Sequence, residues 1–589
     1  MKKKWSLFLS TLLAVSIALS ACGSDKAKEP EKNTQSNEQG SGQEEKKDEA
    51  AGEGEIVTEG VIKAADPSKS PDLANNRKDM AIIGITAPKG IFNPIYSESA
   101  YDAYVMRTVF KGMLEYEKDG TLKKALAEDY QVSPDNLKYT FKLKEGLKFS
   151  DGTPLTAEDV AFTFTVFHDK SYDGPADIVK DAHIKGGQDY RDGKVSSIEG
   201  IKVIDPLTIE FTTTEVSATA LAAIGALEIM PKAYYGKDYK QGNLSYMPDL
   251  FTKPVGAGPY KLDKFVAGQE AQLTANENYF LGKPKVEKLI FKFTTDETNV
   301  QLLQTGETDM DAPAVSKDQV EQLKEMGFLD NTLYRTNGYG YIAFNHKLDK
   351  FKDKRVRQAL TYGLNRQEIV DAVYQGYADV IDVPQSKQSW SYTDEVTKYN
   401  FDLEKAKQLL DEAGWKVGAD GKREKNGEKF VIHFTASTPN VVNDAIIPVA
   451  QKNFGDLGIE FIADQMEFNA VIDKRKKGDF DMLFMAWGLT PDPQSSEGVF
   501  TTKGFQNDIG YSNPKIDELF KQSNSTLDVE KRKEIFHSIY KELTKIFLIS
   551  SCTNVVICSQ RTHVFKASIC RLTVTSHTRF LQSKFNNRT

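Results

Sequence analysis

The sequence predicts an α/β protein of several domains, and three stretches carry that class. Residues 125–164 read as strand, tight turn and capped helix in one run. Ala81 to Thr86 and Phe480 to Trp487 read as buried strands, and residues 339–376 pass from strand alternation into two amphipathic helices. A chain of 589 residues is too long for one core and suggests roughly three or four domains. Its 40% hydrophobic and 27% charged composition is that of a globular protein. The net charge of −8 speaks against nucleic-acid partners, because neutralising phosphates takes a clustered basic face. Four cysteines do not make a disulfide framework in a chain this long.

In chain order, Lys2-Lys3-Lys4, the apolar run Trp5 to Leu19 and then Leu19-Ser20-Ala21-Cys22 read as a secretory signal with a lipobox-like end, residues 1–22. The run is too short for a comfortable spanning helix. Cys22 would open the mature chain and carry a diacylglyceryl group, whose two acyl chains give stable anchoring to the outer face of the membrane. Gly23 to Glu55 contains no Val, Ile, Leu, Phe, Tyr or Trp, so residues 23–79 are expected to form a disordered tether and the fold to begin near Met80. Asn93-Pro94 breaks the first strand, and a helix is expected over 101–114.

Tyr139, Phe141 and Leu143 alternate with polar residues, Asp151-Gly152 turns, and Thr156 with Asp159 opens a helix whose apolar face includes Val160, Ala161, Phe164 and Phe167. Residues 197–214 read as a hairpin, and Gly256 and Gly258 as glycines that serve the conformation of a turn. Further on, Asp353 to Leu364 forms a helix, and Asn365 with Glu368 caps a second one ending near Gly376. Asp402 caps a third helix that stops at Gly414, and Asn426-Gly427 turns into a strand over 430–434. The apolar run Phe480 to Trp487 suits a strand covered on both faces.

Leu126-Ala127, Tyr139-Thr140-Phe141, Gly146, Phe149 to Pro154 and Thr156 to Val160 fall at the spacing of a known signature, and Pro254 to Lys261, Phe344-Asn345 and Lys352 to Arg366 match the same family. Over roughly residues 80–545 the chain resembles the extracytoplasmic solute-binding proteins of peptide and nickel ABC transporters, family 5, nearest to oligopeptide-binding proteins of Gram-positive bacteria. The resemblance implies a two-lobed clamp of the periplasmic-binding-protein type, of the large cluster with an extra inserted domain. The first lobe would take residues 80–338, with a subdomain around 110–220, and the second residues 339–545, hinged near Tyr339 to Asn345. It also implies a monomer without cofactor or metal that captures oligopeptides and delivers them to the transmembrane subunits and ATPases of an ABC permease, with no chemistry on the ligand. A carrier of nickel or another small solute, a peptide-pheromone receptor and a secreted hydrolase are the alternatives. No G-x-S-x-G or H-E-x-x-H occurs, and the seven histidines show no metal-ligand spacing.

A protein that takes many peptides must read their main chain, which every peptide shares. By the resemblance, the strand edge Ala486-Trp487-Gly488 of the second lobe faces the first-lobe loop Ala87 to Tyr96, with Ala87, Phe92, Asn93 and Tyr96 on the ligand. Trp487 reads equally as a pocket wall or as core. Relatives that bind short peptides carry an aspartate three residues after this Trp, where Thr490 stands here. Asp492 is either its substitute or a turn residue before Pro493. Trp390 and Tyr392 read either as aromatic pocket walls or as loop packing.

After Glu542 the chain has no acidic residue, and Cys552, Cys558 and Cys570 appear together. Residues 546–589 therefore read as an anomalous tail produced by a shifted reading frame. In the family this is where the chain crosses back to complete the first lobe, so loss of that strand and poor stability are expected.

Overall fold

Thirteen strands join in one sheet that runs through both lobes. The computed structural model describes residues 58–561, except 98, 118–120, 505 and 547–549. The strands are β1 (Gly60–Ile62), β2 (Met80–Ile85), β3 (Tyr260–Val266), β4 (Glu270–Ala275), β5 (Lys288–Phe293), β6 (Met310–Asp311), β7 (Leu329–Arg335), β8 (Gly338–Phe344), β9 (Ala378–Ile381), β10 (Val431–Ser437), β11 (Glu460–Met466), β12 (Met482–Gly488) and β13 (Ser550–Arg561). The main path is β11-β10-β12-β8-β13-β6-β2-β5-β4-β3, with β1 on β7 and both β7 and β9 on β13. One large apolar core fills the first lobe, around Phe92, Phe110, Phe141 and Phe211. Among the described residues the second lobe holds two large ones, one under the helix Val441–Asp456 and one around Phe500, Phe520 and Phe536, and a small one at Val370 and Ala378.

The local signals in the family signature form as read. Lys138–Leu143 buries Tyr139, Phe141 and Leu143 and pairs with Thr208–Thr212, half of the expected hairpin. The Thr156 N–H donates to the Asp159 carboxylate at 2.8 Å, and the other carboxylate oxygen accepts from the Lys232 N–H at 2.8 Å, so the capping acid also ties its helix to a distant loop. With Ala127–Val132 and Ile201–Asp205 these strands make the four-stranded sheet of the inserted subdomain. The first-lobe helix spans Ala100–Val109, shorter than expected, because Phe110 turns extended. Gly256 and Gly258 are needed for space rather than for an unusual φ. A Cβ on Gly258 would overlap the Val109 backbone, whose carbonyl accepts from the Gly258 N–H at 2.7 Å.

Three expectations are corrected. Order begins before Met80: β1 pairs with β7, Lys63 meets Asp330 at 3.1 Å and the Asp66 N–H reaches the Gly327 carbonyl at 2.8 Å. A polar composition leaves room for a strand wherever another strand offers an open edge.

The crossing between lobes lies at Thr336-Asn337, just before the span expected for the hinge, because β8 is already paired along its whole length by β12 and at Gly340 to Ile342 by β13. The third correction concerns the tail. Its residues 550–561 form the crossing strand expected to be lost. Ser550–Asn554 pair with β8 and β9 in the second lobe, and Val555–Arg561 with β7 and β6 in the first. Ladder hydrogen bonds need no acidic residue, and Thr553, Val555, Val556 and Ile557 favour an extended chain.

At its end Arg561 is 1% exposed. It donates to the Leu303 carbonyl at 2.6 Å, the Thr308 carbonyl at 3.3 Å and Ser70 Oγ at 2.9 Å. Its guanidinium lies 3.8 Å from Asp309, which Arg77 meets at 2.7 Å. Burial brings its pKa down to about 10, which leaves it charged at neutral pH.

Away from the crossing, the lobes touch again where the inserted subdomain meets the helix Pro514–Ser525. The Ala218 N–H donates to the Asn524 carbonyl at 2.7 Å and Ser217 Oγ to Asn524 Oδ1 at 3.0 Å. Arg561→Ala is expected to cost about 3 kcal/mol or more, because it strips Asp309 of one of two cations and leaves buried carbonyls unmatched. Thermal unfolding beside the unaltered protein measures this, and an unchanged melting temperature would show that the strand end is not anchored as described.

Candidate functional site

Strand directions place the site. β13 enters from the second lobe, and β6 runs antiparallel to it while β2 and β5 run parallel to β6, so the C-terminal ends of β2, β5 and β6 point toward the second lobe. β8 is also antiparallel to β13, β12 is antiparallel to β8, and β10 and β11 run parallel to β12. Their C-terminal ends therefore point back toward the first lobe. Ligands of open α/β sheets sit beyond such ends, and here two sets of them face one another across the crossing.

The second-lobe side of this cleft is a half-open strand. β12 pairs with β8 over its full length but with β10 only at Met482 and Leu483, after which β10 stays with β11. The Leu489 N–H donates to the Asn337 carbonyl at 2.8 Å, and the Asp481 carbonyl accepts from the Asn345 N–H at 2.9 Å. Strand alternation then turns the main-chain groups of Phe484, Ala486 and Gly488 the other way, toward the gap left by β10. The strand expected to be covered on both faces is largely buried from Met482 to Met485, whereas Ala486 and Gly488 are exposed.

Two asparagines hold this edge. Asn345 Nδ2 donates to the carbonyls of Gly478 and Phe480 at 3.0 and 2.8 Å, and Asn337 Nδ2 to those of Leu489 and Thr490 at 2.9 and 3.3 Å. Trp487 is half-buried, parallel to the Tyr341 ring at 6.5 Å and 5.6 Å from the Arg475 guanidinium, so one part packs and another remains available.

On the first-lobe side, Ala87 is exposed just beyond β2. The loop after it is held from below: one Asp102 carboxylate oxygen accepts from the N–H groups of Gly90 and Ile91 at 2.8 and 2.9 Å, and Ser99 donates to the other. The sequence reading missed Asp102 in this role, although Ser99 followed three residues later by an acid is the helix-start pattern that could have located it.

Several expected ligand contacts have other work. Phe92 and Asn93 are fully buried; Asn93 Oδ1 accepts from the Ile95 N–H at 3.1 Å, and Nδ2 faces the sulfurs of Met230 and Met247. Tyr96 packs on Tyr172 and Phe251, with ring centroids at 5.2 and 5.3 Å. Trp390 lies edge-on to Phe536 at 5.8 Å, and the Tyr392 hydroxyl donates to Asp394 at 2.8 Å. Both are part of second-lobe packing.

Asp492 is corrected as an anchor for a peptide amine. It receives both Nη atoms of Arg532 at 2.8 Å and caps the short helix Pro493–Ser496 through the Gln494 N–H at 2.9 Å. Arg532 in turn lies over the Trp390 and Phe536 rings. The Thr490 hydroxyl is engaged by the Asp492 carbonyl and Ser495. The local sequence could not show this, because the cation is 40 residues away.

Among the described residues, no group of three or more His, Cys, Asp or Glu is placed to hold a metal ion, and no helix is long and apolar enough to cross a membrane. Cys22 and Cys570 lie outside the described residues.

Residues 121–508 match the family model of bacterial extracellular solute-binding proteins, family 5, and the chain belongs to that family. It is 29% identical over 484 residues to the oligopeptide-binding protein AppA of Bacillus subtilis, covering 79% of this chain and 84% of that one. It is also 29% identical over 478 residues to the heme-binding protein A of Haemophilus influenzae, covering 76% and 82%. The solved structure of Bacillus subtilis AppA in complex with a nonapeptide superposes with a TM-score of 0.70 at 26% identity, over 83% of this chain and 95% of that one. The two-lobed α/β architecture is that of these binding proteins.

Asp492→Asn is expected to lower stability by about 2 kcal/mol, since Arg532 loses its charged partner. Peptide affinity should stay within about twofold of the unaltered protein. Thermal unfolding and titration calorimetry read the two effects separately, and a large loss of affinity at unchanged stability would restore Asp492 as the anchor.

Proposed function

We propose that this protein captures oligopeptides outside the cytoplasm and hands them to an ABC permease, holding them by main-chain hydrogen bonds between two lobes and leaving them chemically unchanged. The observation that carries this reading is the free edge of β12 at Phe484, Ala486 and Gly488, opening into the cleft between the lobes. A peptide added there would be a further strand, bound through groups that any sequence offers. The nonapeptide complex of the Bacillus subtilis relative supports the same class of ligand.

Side-chain surroundings add a preference. Val441 and Phe468, 71% and 50% exposed, stand just beyond β10 and β11 at this same end of the sheet, and Trp487 lies on β12. Apolar residues of a peptide would cover them. In this reading the protein is a monomer that closes over its ligand by hinge motion at Thr336-Asn337 and β13. It is held to the outer face of the membrane by lipid on Cys22, and the permease subunits supply the ATP hydrolysis.

Ala486→Pro removes a main-chain donor from the free edge while sparing the ladder to β8, so it is expected to fold and to bind peptides about tenfold more weakly. Titration calorimetry with a pool of octapeptides, together with mass spectrometry of the recovered ligand, is the measurement. No binding by the unaltered protein, or recovery of cleaved fragments, would overturn the proposal.

A further inference from the structure

Asp311 is the last residue of β6, at the cleft-facing end of the first lobe, and is only 3% exposed. One carboxylate oxygen accepts from the Ala312 N–H at 2.7 Å, and among the described residues the carboxylate meets no cation. The Thr294 hydroxyl, just beyond β5, hydrogen-bonds to the carboxylate, and the charged neighbour acting on Asp311 is another acid, Asp296. Two residues earlier on the same face, the equally buried Asp309 is matched by Arg77 and Arg561 and accepts from the Ile82 N–H. Asp311 has no such cation among the described residues.

The neighbouring residue of β2 is Gly84, and the Asp311 carboxylate itself occupies the space that any Cβ there would need. On the β13 side its register partner is the neutral Ser559. An apolar side chain or Asn would fit this position without the cost of burying a charge, so an acid without a cation is placed for a cation that arrives from outside. On the second lobe, the acid that follows the free strand edge, Asp492, is already taken by Arg532.

We propose that Asp311 receives the ammonium group of the bound peptide, its α-amino terminus or a lysine side chain, so that the charge anchor of this protein sits on the first lobe while the strand edge sits on the second. This rests on the peptide reading above. Asp311, level with Ser559, and Gly488, level through Gly338 with Asn554, are five residues apart along the strands, roughly 17 Å, and three strands apart across the sheet, roughly 14 Å, so about 22 Å separates them. A ligand bridging both lobes is therefore a peptide of about that length or longer.

Burial pushes the Asp311 carboxyl up to about 6, with Asp296 adding to the rise. Below that pH the acid is neutral and cannot pair with an ammonium; above it the anion is available. An arriving ammonium favours the anion, so binding near pH 6 releases a proton.

The test compares three octapeptide pools built from Ala, Val, Leu and Ser by titration calorimetry on the full chain: free amino termini, acetylated termini, and acetylated termini with one Lys. At pH 7.5 the free pool is expected to bind at least about tenfold more tightly than the acetylated one, and the difference to collapse by pH 5. Asp311→Asn is expected to abolish the difference at every pH. Tight binding of the acetylated Lys pool would assign the anchor to the side-chain ammonium. Equal binding of all three pools by the unaltered protein at pH 7.5 overturns the anchor and leaves the peptide reading standing, whereas binding of none overturns both. The acetylation and pH comparisons need no variant, so they decide the matter even if Asp311→Asn does not fold.

Discussion

Everything in this protein hangs on one strand that belongs to two lobes. The first half of β13 hydrogen-bonds to β8 and β9, the second half to β7 and β6, and among the described residues the sheet passes between the lobes again at the two-residue step Thr336-Asn337. A joint of two parallel connections allows bending and resists sliding, so the cleft-facing ends of β2, β5 and β6 stay in register with those of β10, β11 and β12. Arg561 fixes the far end of that strand inside the first lobe, where burial would be costly were Asp309 and two carbonyls not there to meet it.

Much of the architecture was legible because it depends on short-range patterns. The Tyr139, Phe141, Leu143 alternation, the Thr156 and Asp159 cap, the Asp353, Asn365 and Asp402 helix starts and the Asn426-Gly427 turn each lie within a few residues of what they organise. The misreadings have a common cause. The early strand β1, the late strand β13 and the tight glycines 256 and 258 owe their form to partners hundreds of residues away, or to the end of a neighbouring helix. Residues 58–79 read together with the apolar-free stretch before them, and residues 550–561 with a tail that loses its acids and the family resemblance. An open sheet edge accepts any chain that can extend, and this outweighed composition.

The site divides in the same way. That Ala486 to Gly488 would be an edge followed from resemblance, but why it is an edge follows only from β10 keeping to β11 after Thr435. Asp492 looked available because its cation, Arg532, stands on another helix; Phe92 and Asn93 looked like loop residues because nothing nearby shows Met230 and Met247 closing over them. Asp311 attracted no notice in the sequence, where it is one acid among 84 in the Asp and Glu count. It differs from Asp309 only in what surrounds it.

The contact of Ser217 and Ala218 with Asn524 joins the inserted subdomain to the second lobe through elements that take no part in the crossing strands. Two hydrogen bonds of ordinary strength contribute about 1 kcal/mol each. The inserted subdomain thus adds a weak latch between the lobes, one that a modest push can open and that leaves the strands joining them untouched.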